Sequence, residues 1–407
     1  MSKDYDVIII GGGMVGASLA RSLASCGLEI AVVEAWPLQS GRQPSYDDRA
    51  IALAYGSRLI LQGMGIWPGL AADAEPIRRI HVSDRGHFGF TRLTAAEQGV
   101  EALGYVVTAL RLGQALLQGL DSHERIAFCC PADLRSFDVS AERVIVRIDM
   151  GGEQRSLQGR LLVAADGNRS LVREGLGIEV REWDYGQTAV ISNLTPEAVP
   201  EGTAFERFTG SGPLALLPLS GGRYGLVWTL AGDEVEGVMA LDDHHFLQCL
   251  QERFGNRLGR FEKAGKRASY PLKLLQAREH VRPRVALIGN AAHAVHPITG
   301  QGFNLGIRDV AVLAEVLSQA SKAGEDIGSL GVLQGYADWR KRDQQTVALL
   351  TDGLVRLFTN PLLPLRLGRN LGMLALDLLP GAKRQLTRQF MGLNGRLPRL
   401  ARGLSLD

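Results

Sequence analysis

The chain has 407 residues, 45% of them hydrophobic, which suits two closely packed domains with a sizeable core. Its 45 Lys and Arg residues nearly balance its 43 Asp and Glu residues, and the formal net charge of +2 argues against nucleic acid as a partner. The four cysteines form no CxxC pair, so we predict neither a disulfide framework nor a zinc site, and a reducing cytoplasm fits best. The apolar N-terminal stretch is interrupted by glycines, so we expect a strand and a helix there, not a signal peptide or a spanning helix.

The first predicted elements form a βαβ unit in residues 5–35, YDVIIIGGGMVGASLARSLASCGLEIAVVEA. Gly11, Gly13 and Gly16 form the pattern GxGxxG, which permits a tight turn, close approach of the backbone to a pyrophosphate, and close packing of helix on strand. The helix that starts at Met14 would present free backbone N–H groups to the phosphates. Glu34, at the end of the second strand, would accept hydrogen bonds from both ribose hydroxyls, which suits FAD or NAD better than NADP. The unit predicts dinucleotide binding, and an ordinary glycine-rich turn is the alternative.

A second glycine turn follows in residues 159–177, GRLLVAADGNRSLVREGLG. Here an apolar strand ends at Asp166 and Gly167, before a polar turn and a short helix. Read alone, this stretch fits a strand that is simply closed by a β-turn just as well as it fits a binding element.

The third motif lies in residues 284–317, RVALIGNAAHAVHPITGQGFNLGIRDVAVLAEVL. The pattern predicts a strand, a loop that contains Pro297, and a helix that starts between Gly302 and Asn304. That arrangement would aim the N–H groups of the helix start at an electron-rich ligand.

His293 and His296 in this loop raise the alternative of a metal site. Neither an HExxH motif nor a distant cysteine cluster completes a ligand set, so no metal is predicted. A Ser-His-Asp arrangement is also disfavoured, because the sequence has no GxSxG elbow. No catalytic acid or base can be assigned from the sequence.

The three motifs, in this order and spacing, resemble those of the group A flavoprotein aromatic hydroxylases over nearly the whole chain. In that family the third motif reads GDxxHxxxPxxGQGxNxGxxD and holds the ribitol and isoalloxazine parts of FAD. This chain departs from it at Asn290, where the family usually has aspartate; an amide oxygen can still accept a ribitol hydrogen bond, but without charge. The resemblance implies that Asp166 and Gly167 form the family's DG motif near the flavin and nicotinamide binding regions. It also implies that the third motif contacts FAD through Gly289, Asn290, Pro297, Gly300, Gln301, Gly302 and Asn304.

Within the family, segments such as AFERFTGSGPLALLPL and SYPLKL are more similar to the hydroxylases of ubiquinone biosynthesis. The resemblance implies non-covalent FAD, NADH or NADPH as transient electron donor, and cofactor contacts from Arg49 and Arg111, for which surface salt bridges are the alternative. It implies hydroxylation of a polyprenyl phenol with O2, with 2-polyprenyl-6-methoxyphenol as the expected substrate and the corresponding 1,4-benzenediol as the product. The alternatives are another ring position, an FAD-dependent prenyl-lipid reductase that does not insert oxygen, and a flavin-bound scaffold without activity.

The expected fold is α/β, with a Rossmann-like FAD-binding domain, an interleaved antiparallel β-sheet substrate domain, and C-terminal helices. The FAD domain is expected in residues 1–75, 100–175 and 275–345, and the substrate domain in 76–99 and 176–274. Residues 178–232 alternate apolar and polar side chains and break at glycines, as antiparallel hairpins do.

The C-terminal region, 346–407, is basic and rich in leucine, and the basic residues begin shortly before it, at Arg340. Such a pattern is typical of helices on an anionic membrane surface or against a partner, such as a ubiquinone-biosynthesis multi-enzyme complex. A peripheral position on the inner face of the cell membrane is therefore expected, and helices packed on the FAD domain with a solvated basic face are the alternative. We also expect that removal of the residues after Leu379 leaves FAD binding intact. The twelve basic residues are Arg340, Lys341, Arg342, Arg356, Arg366, Arg369, Lys383, Arg384, Arg388, Arg396, Arg399 and Arg402.

Overall fold

The computed structural model describes residues 4–37, 48–360 and 362–406, and it alternates strands and helices. Residues 38–47, which fall in the predicted FAD segment 1–75, lie outside the described residues. Within the described ranges the helices are α1 (Met14–Ala24), α2 (Tyr55–Gly63), α3 (Ala95–Gln98), α4 (Ala109–Leu117), α5 (Leu171–Gly175), α6 (Val235–Ala240), α7 (Asp243–Phe254), α8 (Gln301–Lys322), α9 (Leu330–Thr359), α10 (Leu363–Leu378) and α11 (Pro380–Phe390).

The strands are given for the same described parts of the chain. They are β1 (Asp4–Ile10), β2 (Ile30–Val33), β3 (Ala50–Ala54), β4 (Glu75–Ile77), β5 (Arg79–Asp84), β6 (Phe90–Thr94), β7 (Gly104–Thr108), β8 (Ile126–Cys129), β9 (Asp133–Val139), β10 (Val144–Met150), β11 (Glu153–Ala164), β12 (Val180–Pro196), β13 (Thr203–Thr209), β14 (Gly212–Leu219), β15 (Arg223–Ala231), β16 (Phe261–Ala264), β17 (Ala268–Ala277), β18 (Val281–Arg282), β19 (Val285–Leu287) and β20 (His293–Ala294).

The first sheet has the order β18-β19-β11-β1-β2-β8, with β10 and β9 added beside β11. The central strands are parallel: Val7 of β1 pairs with Ile30 of β2 on one side and with Leu161 of β11 on the other. Strand β1 is apolar throughout its second half because helices cover one of its faces and β10 with its neighbours lies towards the other. The carboxyl ends of β1, β2, β11 and β19 therefore meet at one edge of this sheet, where parallel α/β sheets bind ligands.

The second sheet has the order β20-β17-β12-β15-β14-β13-β5-β6, with β16 beside β12. Most of its pairs are antiparallel, as predicted for residues 178–232, but β13 runs parallel to β5. A third, small sheet, β3-β7-β4, lies between the two larger ones. The second sheet is built from β5, β6 and β12 to β17, together with β20, which comes from the stretch predicted for the FAD domain.

Helix α9 crosses the predicted boundary at residue 345, because it runs without a break from Leu330 to Thr359. Its start packs on α8 and its second half reaches β13 and β14 of the second sheet. The boundary between the FAD segment and the C-terminal region is therefore not a chain break. None of the described helices combines the length and the apolar character needed to cross a bilayer.

The C-terminal helices pack largely on the second sheet and its hairpin, and only the last residues return to the first domain. In α10, Arg369 forms a buried ion pair with Asp84 of β5, with 2.9 Å between Nε and Oδ2. In α11, Lys383 is buried and pairs with Glu97 at 2.8 Å. Leu400 and Leu406 are buried in the core that surrounds α1 and α8. Removal of everything after Leu379 would uncover that core, so the structure argues against the expectation that such a truncation leaves FAD binding intact.

Candidate active site

The glycine turn between β1 and α1 is tightly enclosed. Gly11 has φ +102°, and a Cβ there would lie 2.4 Å from the carbonyl oxygen of Ala165. A Cβ on Gly16 would lie 1.9 Å from the carbonyl oxygen of Gly11, so only glycine lets the helix approach the turn this closely. Helix α1 begins at Met14 after Gly13, with no side-chain cap and no acidic residue in its first turn. The positive end of the helix dipole is therefore available to an anion.

Glu34 lies directly after β2 and is buried beside the glycine turn. Its Oε2 accepts the N–H of Gly12 at 2.7 Å and its Oε1 accepts the N–H of Trp36 at 2.8 Å. These two bonds fix the orientation of the carboxylate beside the glycine turn. The predicted contact with ribose hydroxyls stays a prediction that this orientation permits.

Asp166 stands next to the same turn, because β11 runs parallel to β1 and both end here. Its Oδ2 accepts the N–H of Val172 at 3.3 Å, whereas its buried Oδ1 has no hydrogen-bond partner within residues 4–37, 48–360 and 362–406. Burial raises the pKa of this carboxyl. Gly167 follows with φ +79° and closes the turn. A buried carboxyl oxygen without a partner is the kind of atom that a ligand hydroxyl would satisfy.

The third motif forms a loop of two short 3-10 turns, Gly289–Ala291 and Ile298–Gly300, ahead of α8. The side chain of Asn290 is exposed, and Pro297 caps the second turn. Gly300 has φ +63° and precedes α8, whose first turn has neither a side-chain cap nor an acidic residue. A Cβ on Gly302 would meet no atom within 4 Å, so the start of α8 borders open space.

Two predicted contacts of this motif are engaged with the protein itself. Asn304 accepts hydrogen bonds at Oδ1 from Ala54 N–H (2.8 Å) and Ser57 Oγ (2.7 Å), and it donates from Nδ2 to the carbonyls of Ala52 (2.8 Å) and Gly300 (2.7 Å). These four bonds use the full capacity of the amide, so its side chain positions the loop against β3 and α2. Gln301 is likewise buried and accepts from Arg308 at 3.2 Å.

A buried ionic cluster that the sequence analysis did not identify contacts the loop of the third motif from the interior of the protein. Asp309 is fully buried; its Oδ2 is 2.6 Å from His293 Nε2 and 3.0 Å from Gly289 N, and its Oδ1 is 2.7 Å from Arg340 Nε. Although burial opposes ionisation, His293 and Arg340 lower the pKa of Asp309. Arg340 also pairs with Asp343 at 2.6 Å. His293 and Asp309 stand in the motif, but their partner on α9 gave no sequence signal.

The second histidine of the loop, His296, is fully buried. Its Nδ1 accepts the N–H of Ile298 at 3.1 Å, and its ring lies edge-on to Tyr185 with 5.2 Å between centroids. Burial lowers the pKa of His296 to about 4, so the ring is neutral near pH 7. In the part of the chain that the structure describes, the side chains spaced to hold a metal are Asp242, His244 and His245, on the exposed surface of α7.

The two arginines expected near the cofactor differ in position. Arg49 directly precedes β3, and its guanidinium lies 5.5 Å from the centre of the Tyr270 ring on the second sheet. Arg111 lies at the exposed start of α4 and pairs with Asp73, with 2.5 Å between Nη2 and Oδ2. The salt bridge weighed as the alternative for Arg111 is thus present, and a cofactor contact would require its side chain to move.

The second sheet has two different faces. On its outer face Leu214, Leu216 and Trp228 are fully buried under α7, whereas on its inner face Ala215 and Leu217 keep partial exposure. The inner face is turned towards the third motif and β3. We call the space in front of it the inner cleft; it is lined by Val82, Glu206, Ala215, Leu217 and Val227.

Contacts with the FAD-side elements limit the inner cleft at both ends. At one end Phe208 stacks on Phe358 of α9, with 3.5 Å between ring centroids, and both pack with Ile298 of the loop. At the other end the backbone of Gly225 is so close to β3 that a Cβ there would lie 2.2 Å from the Ala50 Cβ. The cleft therefore opens beside the loop that carries the third motif.

Comparison with known proteins decides the family. A family model described as FAD binding domain matches residues 4–346. Ubiquinone hydroxylase UbiL of Rhodospirillum rubrum is 39% identical over 99% of this chain and 94% of its own length. The 3-demethoxyubiquinol 3-hydroxylase of Escherichia coli is 34% identical over 96% of this chain and 100% of its own. The human ubiquinone biosynthesis monooxygenase COQ6 is 31% identical over 94% and 91%. The chain belongs to the FAD-dependent ubiquinone hydroxylases.

Solved structures support the fold of this FAD-dependent hydroxylase. The p-nitrophenol 4-monooxygenase PnpA of Pseudomonas putida superimposes with a TM-score of 0.82 at 20% identity, over 97% of this chain and all of the other. The protein pqsL of Pseudomonas aeruginosa gives a TM-score of 0.76 at 23% identity, over 92% of this chain and 100% of the other. The predicted fold class, enzyme class and flavin cofactor are confirmed, with NAD(P)H as the electron donor typical of the family.

The residues of this FAD-dependent hydroxylase fit the cofactor. Two uncapped helix starts, at α1 and α8, border the edge where β1, β2 and β11 end, and the buried Oδ1 of Asp166 lacks a partner there. The turn at Gly11 has no room for a side chain, and the space at Gly302 is open. The backbone N–H groups at the starts of α1 and α8 are therefore accessible to a flat, electron-rich ligand.

Proposed function

We propose that this FAD-dependent hydroxylase inserts oxygen into the ring of a polyprenylated phenol in ubiquinone biosynthesis. The substrate we propose is 2-polyprenyl-6-methoxyphenol, and the product is the corresponding 1,4-benzenediol. When bound, FAD supplies the redox chemistry: it takes electrons from NAD(P)H and activates O2. The remaining tasks fall to the chain, which must hold the ring beside the cofactor and keep water away from it.

The inner cleft is the observation that supports a phenolic, lipid-like substrate. Its walls are apolar at Val82, Ala215, Leu217 and Val227, and it opens beside the third motif. A cleft with apolar walls and few polar groups is typical of sites for aromatic ligands. The relatives named as ubiquinone hydroxylases support the pathway.

The cofactor is proposed to lie along the edge formed by the first sheet. The pyrophosphate would meet the start of α1 at Gly11, Gly13 and Met14, and Glu34 would accept from the ribose. Asp166 and Asn290 would bond to the hydroxyls of the ribitol chain. The start of α8 at Gly302 would stabilise negative charge on the reduced isoalloxazine ring through its backbone N–H groups.

The test is turnover of defined phenols by the purified holoenzyme. With 2-methoxy-6-prenylphenol we expect equal consumption of NAD(P)H and O2, and a product heavier by one oxygen atom at the position para to the hydroxyl. NAD(P)H oxidation that proceeds without O2 would favour the reductase, and flavin without any NAD(P)H oxidation would favour the scaffold.

Hydroxylation at another ring position is the second candidate, and the 34% identical relative from Escherichia coli supports it, since its name specifies a 3-hydroxylase. The two candidates differ in the substrate that is consumed. A deletion strain should accumulate the unhydroxylated 2-polyprenyl-6-methoxyphenol under the main proposal, and an intermediate that already carries the 1,4-benzenediol under the second.

A peripheral membrane position is also proposed, and α10 supports it better than the basic residues do. Arg340, Arg369 and Lys383 are buried in ion pairs and cannot contact lipid. The exposed residues on one side of α10 are instead apolar; they are Leu363, Leu367, Leu371 and Leu378, and the half-buried Leu374 lies between the last two. Exposed Arg384 and Arg388 on the adjacent α11 could add attraction to anionic lipid.

A further inference from the structure

The inner face of the second sheet carries two carboxyl groups, Asp84, which is paired with Arg369, and Glu206. On β13 it is paired with Ala215 of β14 and with Val82 of β5, and residues paired in this way point to the same face. Two positions along the strand on either side stand Ala204 and Phe208, each of which belongs to an apolar cluster. The carboxyl therefore lies between two apolar clusters, at the wall of the inner cleft.

Among the residues that the structure describes, no hydrogen bond or ion pair accounts for the position of this side chain. Its Oε1 is buried without a hydrogen bond, although the residue as a whole keeps partial exposure towards the cleft. The neighbouring Arg207 points to the outer face with Leu214 and does not pair with it. Burial raises the pKa of Glu206 to about 8. A structural carboxyl would normally be paired, whereas a carboxyl kept unpaired in an apolar cleft is typical of a functional site.

We propose that Glu206 is a catalytic residue that binds the phenolic hydroxyl of the substrate and accepts its proton. This inference rests on the proposed function, because it names the group that recognises the phenol in the inner cleft. The aromatic ring would pack against Val82, Ala215 and Val227, with its hydroxyl directed at the carboxyl.

The proposed step is a proton transfer without any redox change. The O–H bond of the phenol breaks, an O–H bond forms on the Glu206 carboxylate, and the electron pair remains on the phenol oxygen. The resulting phenolate is richer in electrons at the ring position para to that oxygen, where the hydroxylation is proposed. A carboxylate whose pKa lies near the working pH is a better base towards a phenol than an ordinary glutamate.

The titratable groups on the facing elements make contacts of their own. Helix α9 carries Asp352, which accepts from Tyr185 at 3.0 Å and pairs with Arg356 at 2.8 Å. In the loop, His296 accepts a backbone N–H at Nδ1, and its buried Nε2 has no partner among the described residues. Ahead of β3, Arg49 lies over Tyr270.

The two strands beside Glu206 place Val82 and Ala215 opposite it. Asp84, the next residue of β5 on this face, is paired with Arg369 of α10 at 2.9 Å.

The test compares Glu206→Gln with the wild-type holoenzyme, using 2-methoxy-6-prenylphenol as the probe. Glutamine keeps the shape and the hydrogen bond but cannot accept the proton, so we expect kcat/KM to fall about 100-fold. In the wild type kcat/KM should rise with pH up to about 8, because the carboxylate is the active form; this rise should be absent in Glu206→Gln. Flavin content and Tm should match the wild type, because the variant removes no packing.

Two further variants separate a catalytic role from a structural one. Glu206→Asp should keep the rise with pH at a lower kcat, because a carboxylate remains. Glu252→Gln, at an exposed position of α7, should behave as wild type throughout. The difference spectrum of the bound probe should show phenolate with the wild type and neutral phenol with Glu206→Gln.

The outcomes distinguish the inference from the function on which it rests. If the wild type hydroxylates the probe and Glu206→Gln does so with unchanged kcat/KM and pH profile, the assignment of Glu206 is overturned and the proposed function stands. If the wild type hydroxylates no phenol, the proposed function fails and the role of Glu206 fails with it. Loss of folding in Glu206→Gln together with a flat pH profile in Glu206→Asp would assign the residue a structural role.

Discussion

His293 Nε2 lies 2.6 Å from Asp309 Oδ2, and this contact ties the loop of the third motif to the interior of helix α8. The same carboxylate bonds to the N–H of Gly289 and to Arg340 of α9. One buried side chain thus holds the first half of the loop, at Gly289 and His293, against helices α8 and α9. The loop, which is rich in small residues, is positioned by charges beneath it rather than by its own sequence.

Asp309→Asn is expected to destabilise the protein and to lower its flavin content. The substitution leaves Arg340 buried with only Asp343 as its ionic partner, and breaking a buried pair costs about 3–5 kcal/mol in free energy of unfolding. Urea unfolding and the ratio of flavin to protein absorbance measure the two effects. The control is Asp338→Asn, at an exposed position of α9, the helix that carries Arg340; it should change neither quantity.

The contribution of Asp309 should also depend on pH with a defined sign. Because its pKa is lowered in the folded protein, its stabilisation is fully present above the unfolded value of about 3.9 and is lost as pH falls towards the folded value. The difference in free energy of unfolding between wild type and Asp309→Asn should be constant from pH 7 to about 5 and should narrow below about 4. A difference that already shrinks near pH 6 would contradict this.

FAD is expected to leave the protein on precipitation with acid. No His or Cys of the sequence stands in a context typical of covalent flavin attachment, and Asp309 already bonds to Nε2 of His293. The yellow colour should therefore appear in the supernatant with the spectrum of free FAD. Colour that stays in the pellet would show a covalent link.

Asn290 tests the departure from the family motif. If its amide oxygen accepts a ribitol hydroxyl, Asn290→Asp should keep or raise flavin occupancy, and Asn290→Leu should weaken binding by about 1–3 kcal/mol. The side chain is exposed, so neither change should alter the fold, and Tm of the flavin-free proteins is the control. Equal affinity of the two variants for FAD would reject the contact.

The apolar stripe of α10 predicts binding to anionic vesicles. Replacing Leu363, Leu367, Leu371 and Leu378 by glutamine removes side chains that are 48–78% exposed, so the fold and FAD should be retained. Sedimentation with vesicles should fall at least about tenfold, because a leucine buried in lipid contributes about 1.5–3 kcal/mol. Turnover of a long-tailed phenol should drop while that of 2-methoxy-6-prenylphenol persists.

The control for α10 is Leu349→Gln, a leucine on α9 that is 73% exposed. It should leave vesicle binding unchanged. If the fourfold variant sediments with vesicles like the wild type, the stripe contacts something other than lipid, and the membrane proposal is wrong. Substitutions are preferred to removal of the residues after Leu379, because that truncation would also remove the core residues Met391, Leu400 and Leu406.

The sequence allowed the dinucleotide unit, the fold class and the division into two sheets to be predicted, because these depend on local periodicity and on glycines at fixed spacing. It could not indicate that β3 and α2 supply three of the four hydrogen bonds of Asn304, since those partners lie about 250 residues away. It also could not separate the buried Arg340, Arg369 and Lys383 from the exposed basic residues, because a tertiary ion pair leaves no periodic trace.

Glu206 shows where a signal was present but was not used. In the stretch AFERF, the alternate positions Ala204 and Phe208 are apolar, and Glu206 interrupts them on the same face. An acidic residue at an apolar position of a strand is typical either of a strand at the edge of a sheet or of a binding site. Because β13 is paired with β14 on one side and with β5 on the other, it is not an edge strand, and only the structure shows this.

Helix α9 has a thermodynamic consequence. As one 30-residue helix it is about 45 Å long, and it contributes side chains to the core around α8 at one end and to the stack of Phe208 on Phe358 at the other. Neither large sheet can lose the helix packed on it unless part of α9 unfolds. Heat should therefore unfold both halves of the molecule in one cooperative transition, and calorimetry should record a single peak whose van't Hoff enthalpy equals the calorimetric one.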